Sequence, residues 1–207
     1  MTTFIISFVV WAVLHSVTAA RRSKKWVQRQ WGERAYTGLY RLFYNVFALI
    51  TFLPVLYFTA TELPDTRLWI IPEPWSWLTG AIQLGALIAL FVSLWQTDIW
   101  EFVGLRQFWR YLQNESELTV PPRLVTTGPY AWVRHPLYFF SMVFLWLNPL
   151  MVFQTFLFNL FVTLYFWAGS RVEERRLADF FGEAYTEYRQ QVPGLIPVKL
   201  PRRHRVQ

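Results

Sequence analysis

The chain of 207 residues has no cysteine. Disulfides, thiolate catalysis and cysteine-ligated zinc are therefore all excluded. Its three histidines, His15, His135 and His204, stand too far apart in sequence to suggest a metal site. The sequence also lacks GxGxxG, P-loop, HExxH and GxSxG signatures, internal repeats and low-complexity tracts. Charge is scarce, at 16% of residues. A soluble domain carries about 25%. Set against that deficit are 54% hydrophobic residues, 20% aromatics and long apolar runs, the composition of an integral membrane protein.

Apolar runs cover about Phe4–Ala20, Leu42–Ala60, Trp77–Thr97 and Leu137–Ser170, and the basic residues from Arg21 to Arg41 read as a loop after the first. Many of the 12 tryptophans sit at run ends, among them Trp26, Trp75, Trp77, Trp95 and Trp100, as an interfacial belt requires. No basic segment precedes the first run, so it reads as a retained span rather than a cleaved signal. The net charge of +7 does not indicate nucleic acid, because the basic residues lie beside apolar runs, where they meet anionic lipid and set topology.

The run Leu137–Ser170 decides the span count. As one helix it would reach about 50 Å, against a hydrocarbon core of about 30 Å. Asn148-Pro149 interrupts it with a turn pair. A helical hairpin also leaves every lysine and arginine except Arg67 on one side. The expectation is an all-α membrane protein with about five transmembrane helices and an outside N-terminus. Residues 1–97 form a three-span region. Residues 98–207 form a second region, with a membrane hairpin at 137–170 and a cytoplasmic amphipathic tail helix at 171–191. In that tail Leu177, Phe181, Ala184, Tyr185 and Tyr188 recur at helical spacing, and Pro193 ends the helix.

Two polar clusters bracket the hairpin. The first is Gly128-Pro129-Tyr130-Ala131-Trp132-Val133-Arg134-His135-Pro136-Leu137-Tyr138. Pro136 disfavours helix at His135 and suits the first helical turn after it. His135 then stands at a helix entrance, where unpaired N–H groups and the positive dipole end welcome an anionic group. Arg134 adds charge and a fork of donors. Tyr130, Trp132 and Tyr138 offer flat faces. An interfacial anchor is the competing reading, made weaker by the Gly-Pro-Tyr turn upstream. The second cluster is Glu173-Glu174. A carboxylate there can take an amino group or ribose hydroxyls. Glu173 is favoured because it shares a helical face with Leu177; Glu174 reads as helix-terminal charge with a contact to Arg176. His15, deep in the first run, is a weaker candidate.

Taken together, Leu124-Val125, Gly128-Pro129-Tyr130, Arg134-His135-Pro136, Tyr138, Asn148-Pro149, Glu173-Glu174, Leu177, Phe180-Phe181-Gly182, Tyr185, Tyr188 and Val192-Pro193 resemble the isoprenylcysteine carboxyl methyltransferase and phospholipid methyltransferase superfamily. The likeness runs from Pro122 to Pro197. The N-terminal part, with Leu14-His15-Ser16, is similar to the bacterial NnrU-like and methanethiol methyltransferase-like branch. The resemblance implies an S-adenosylmethionine site in the C-terminal hairpin, closed by the tail. Cofactor contacts carry over to Pro122, Arg123, Leu124, Val125, Tyr130, His135, Pro136, Leu137, Tyr138 and Glu173. Arg171 takes the role of the family's arginine near the acceptor, with Arg134 as a second cation. The acceptor would be a lipophilic or small molecule with a carboxylate or thiol, and the membrane a bacterial inner membrane with the site and C-terminus cytoplasmic. Two departures stand out: Phe140 occupies a place where the family has a small residue, and Gly169 falls at the spacing of its arginine. Two other functions remain open at this point. One is an NADPH-dependent reductase, since sterol reductases have a related Arg-His-Pro-x-Tyr region. The other is a non-enzymatic membrane protein keeping a degenerate methyltransferase fold.

Overall fold

The computed structural model describes residues 1–119 and 121–198. The tail residues Lys199, Arg202, Arg203, His204 and Arg205 of the sequence reading lie outside the described residues. The chain is mostly helical, and it divides into two compact units interleaved along the sequence. Unit 1 comprises residues 1–71, 95–123 and 150–161; unit 2 comprises residues 72–94, 124–149 and 162–207. The units do not follow one another in order along the chain.

In unit 1, α1 (Thr2–Ala19) packs antiparallel on α3 (Glu33–Glu62). Trp11 Nε1 donates to the Ala48 carbonyl at 3.0 Å, and the Tyr44 hydroxyl meets His15 Nε2 at 2.6 Å. Trp11 stacks on the His15 ring, which accounts for the polar group in an apolar run. Between them α2 (Arg21–Trp31) is a helix, not the loop expected from its charges. It begins one residue beyond α1, after extended Ala20. Next to the first half of α3 lie α5 (Ile99–Val103) and α6 (Leu105–Leu112). Gly104 joins them with φ +95°, and a Cβ there would come within 2.5 Å of the Leu42 nitrogen. Only glycine fits that backbone contact.

The opposite end of unit 1 holds an element the sequence reading missed. Strand β1 (Arg67–Ile70) pairs antiparallel with β2 (Leu150–Val152). The all-α expectation is corrected by this short ribbon. Asn148-Pro149 does break the apolar run, but into a strand followed by a helix.

Unit 2 contains α4 (Trp75–Gln96) almost entirely, α7 (Pro136–Trp146) and most of α8 (Phe153–Phe181). The Gln83 side-chain amide donates to the Phe144 carbonyl at 2.8 Å, tying α4 to α7. Trp146 Nε1 donates to Thr163 Oγ1 at 2.9 Å, and Tyr138 stacks on Phe166 at 4.7 Å, so α7 runs antiparallel to α8. The expected tail helix does not start at residue 171. Instead α8 continues through the charged cluster to Phe181, and α9 (Glu183–Gln191) follows the break at Gly182. Three helices, α1, α3 and α4, are long and apolar enough to cross a membrane. At 11 residues, α7 is short for a span, and Gln154, Asn159 and the charged end dilute the apolar character of α8.

Candidate functional site

The two polar clusters come together inside unit 2. Gly128–Ala131 forms a 3-10 turn, and Tyr188 of α9 donates its hydroxyl to the Tyr130 carbonyl at 2.6 Å. After the turn, His135 is the residue before α7 with Pro136 in the first helical position, as the sequence implies. The His135 side chain does not cap the helix. It is turned toward α8. Its Nδ1 lies 3.3 Å from Glu173 and its Nε2 3.4 Å from Glu174. Tyr138 covers the ring in a near-parallel stack at 5.6 Å.

Arg134 completes the cluster. Its Nε donates to Glu174 at 3.1 Å and its Nη2 makes a still closer contact with the same carboxylate oxygen. Its Nη1 donates to the carbonyls of Val192 at 2.6 Å and Arg189 at 3.2 Å. The backbone N–H groups of Arg134 and His135 donate to Pro193 and Gly194. The chain after α9 thus forms a strap over the entrance of α7. A Cβ on Gly194 would lie 3.2 Å from Arg134 Nη2 and 3.4 Å from Glu174 Oε1, so glycine lets the strap pass close without those side chains giving way.

Burial and charge oppose each other here. Burial lowers the His135 pKa, but the two glutamates outweigh it and the net shift is upward from 6.5. Burial likewise raises the Glu174 carboxyl, but His135 and Arg134 overcome this and hold it at about 2. Burial, reinforced by Glu174, pushes the Tyr185 hydroxyl up to about 12. Both ring nitrogens face carboxylates, the arrangement that an imidazolium donating two N–H groups would satisfy, and in that state two cations would balance two anions in one mostly buried group.

The two glutamates differ in burial. Glu174 is not helix-terminal charge: it lies inside α8, with 19% side-chain exposure, gripped by Arg134 and His135. Glu173 is 46% exposed and keeps a face to solvent. Arg134 is turned inward rather than offered to a ligand. Arg171 is exposed and lies over the Trp167 ring at 5.3 Å. Tyr130, Pro136, Leu137 and Tyr138 fall in the cluster's own segment, and Leu124 and Val125 are half-buried extended chain in unit 2. Pro122 and Arg123 are exposed and belong to unit 1. Phe140 is buried, with Trp132 at 6.5 Å and Phe139 at 5.1 Å. The strap glycine was missed; its only signal was its place directly after Pro193. Among the described residues no group of three or more His, Cys, Asp or Glu side chains is placed to hold a metal.

The profile of the NnrU protein family matches residues 3–194, and the chain belongs to that family. Among its relatives, Methanethiol S-methyltransferase 1 of Bradyrhizobium diazoefficiens is 32% identical across 93% of this chain and 65% of its own length. Methanethiol S-methyltransferase of Crocosphaera subtropica is 31% identical across 91% of this chain and 71% of its own. Protein-S-isoprenylcysteine O-methyltransferase of Schizosaccharomyces pombe is 35% identical, over 54% of this chain and 53% of its own. This chain therefore spans about two thirds of the length of the first of them. No solved structure matches.

Proposed function

We propose that the protein is a membrane methyltransferase that uses S-adenosylmethionine to methylate a small thiol. The observation that carries the reading is the His135 ring held between Glu173 and Glu174 while Glu173 stays half exposed. The residues fit the cofactor. Glu173 has a solvent-facing carboxylate for an ammonium or ribose hydroxyls. The entrance of α7, uncapped by the His135 side chain, has donors for a carboxylate. Bound there, S-adenosylmethionine would supply an electrophilic methyl carbon on a sulfonium. His135 and Arg134 serve as positioning residues: they fix Glu173, Glu174 and the head of α7. Tyr130, Leu137, Tyr138, Leu124 and Val125 make up the rest of the contact set, and Arg171 is the remaining cation on the acceptor side. A thiolate acceptor needs little acid–base help, so alignment is the protein's main contribution.

A small thiol is favoured over a prenyl carboxylate for two reasons. The relatives matched along nearly the whole chain are named for methanethiol. Phe139 and Phe140 also fill space at the position where the wider superfamily has a small side chain.

Five crossings with the N-terminus outside account for the topology. The α5–α6 elbow lies along the first half of α3, while β1 follows its far end and pairs with β2. A helix of 30 residues is about 45 Å long. Within unit 1 the chain therefore leaves α6 by one end of α3 and re-enters at β2 by the other, which supports a further crossing between them. The site, the C-terminus and all basic segments but Arg67 are then cytoplasmic, in a bacterial inner membrane, and the chemistry lies in the region from residue 98 onward.

The test is thermal unfolding of the full chain in neutral detergent. S-adenosylhomocysteine should raise Tm, NADPH should not, and His135→Ala should remove the effect. Stabilisation by NADPH instead, or full cofactor binding by His135→Ala, overturns the assignment. Labelled methyl transfer to methanethiol and not to a farnesylcysteine analogue supports the acceptor; the reverse outcome refutes it while leaving the donor standing.

A further inference from the structure

We infer that the outer face of α2 is a binding site for acidic phospholipid headgroups. Helix α2, Arg21–Trp31, carries five basic residues and no acidic one. Its inner face, with Val27, packs against α3. At 100° per residue, Arg22, Lys25, Arg29 and Trp26 fall within one arc, and all four are exposed. Trp26 stands 63% exposed on the rim of that charged arc.

Pairing separates these cations from the other basic residues of unit 1. Arg34 donates to the Glu115 carbonyl and lies over Tyr111. Arg41 donates to the Glu101 carbonyl. Arg106 pairs with Asp98 and Arg110 with Glu115. Arg22, Lys25 and Arg29 have no such partner among the described residues. Three cations on one exposed face without an internal counterion leave that face free to take an external anion. The placement says which kind. One extended residue, Ala20, separates α2 from the membrane-compatible helix α1. The helix therefore turns off at the end of a span, at headgroup level. An exposed tryptophan beside lysine and arginine is suited to that layer, where the ring enters the acyl boundary and the cations meet phosphate. The inference stands on the membrane reading alone and not on the proposed chemistry.

Phosphatidylglycerol, phosphatidylcholine, inorganic phosphate and a short single-stranded oligonucleotide would each be titrated into the full chain in neutral detergent, following Tm. Phosphatidylglycerol should stabilise and the other three should not. In R22Q/K25Q/R29Q its apparent affinity should fall about 100-fold, since each cation near a membrane surface contributes about fivefold. The Tm of that variant in phosphatidylcholine should match the wild type, which shows that it is folded. If it does not match, Arg29→Gln alone serves, and its phosphatidylglycerol affinity should fall about fivefold. Trp26→Ala should weaken binding without changing the salt dependence. The effect should vanish in about 1 M salt, where the Debye length is about 3 Å. Equal stabilisation by both lipids, or undiminished phosphatidylglycerol affinity in the folded variants, overturns the proposal. So does an equal effect of phosphate, which would make this a free-anion site, or of the oligonucleotide, which would make it a nucleic-acid face.

Discussion

Glu173 and Glu174 are chemically identical neighbours with opposite predicted phenotypes. Removing Glu174 leaves the Arg134 guanidinium mostly buried without its carboxylate. Glu174→Ala should therefore cost about 3 kcal/mol or more, measured by denaturant unfolding in micelles. Glu173, half exposed, should cost less than about 1 kcal/mol when replaced by alanine, yet lose cofactor affinity. Equal stability losses in the two variants would contradict this division. The same cluster sets a pH window. The His135 pKa is raised from 6.5, so its contribution is complete below that value and fades as pH rises through the folded pKa. The Glu174 pKa falls from 4.5 to about 2, so its contribution is complete above 4.5 and fades as pH drops toward 2. Tm should be highest between these limits, and His135→Asn should flatten the alkaline side. The sequence made both clusters visible, because an Arg-His-Pro before an apolar run and a double glutamate after it are local patterns. It could not rank the glutamates. They are 100° apart on one helix, and which is buried depends on Arg134 and on a strap formed by residues 193 and 194.

At the scale of elements, the expected boundary at Arg171 confused the edge of the membrane with the end of a helix. Side-chain polarity changes there, but the backbone of Arg171–Phe181 has no reason to stop, so α8 runs through. The real break is Gly182, at φ +57° and ψ −123°. That conformation belongs almost only to glycine, and a side chain would cost about 1–3 kcal/mol. The break turns α9 so that Tyr185 and Tyr188 are buried and the strap can follow. Gly182→Ala should loosen α9 and the strap while leaving the helices before it in place. Faster proteolysis confined to the chain after residue 182 would bear this out; unchanged protection of that stretch would not. Helix α2 misled for a related reason. Its charges resemble a loop in composition, but Arg, Lys, Gln and Trp tolerate helix well, and packing on α3 supplies the rest.

The whole molecule was legible where hydropathy alone decides, namely in the three helices α1, α3 and α4. The β1–β2 ribbon was not, because its strands are short and about 80 residues apart, and no local pattern announces such a pairing. Yet that ribbon constrains the topology most. It ties the α3–α4 connection to the α7–α8 connection, so Thr66 and Leu150 must share one side of the membrane. A chain without cysteine makes the test clean, since every introduced thiol is the only one. An impermeant maleimide on intact cells should label Thr66→Cys and Leu150→Cys. It should reach Gln30→Cys on α2 and Glu187→Cys on α9 only after permeabilisation. All four positions are exposed on the protein, so differences in labelling report the membrane rather than burial. If Leu150→Cys instead labels with the α2 and α9 positions, α7 and α8 do not cross, the ribbon does not form in the bilayer, and the count falls to three. Labelling of Glu187→Cys in intact cells would place the His135–Glu174 cluster on the outer face, away from the cytoplasmic cofactor supply, and the proposed chemistry would fall with it.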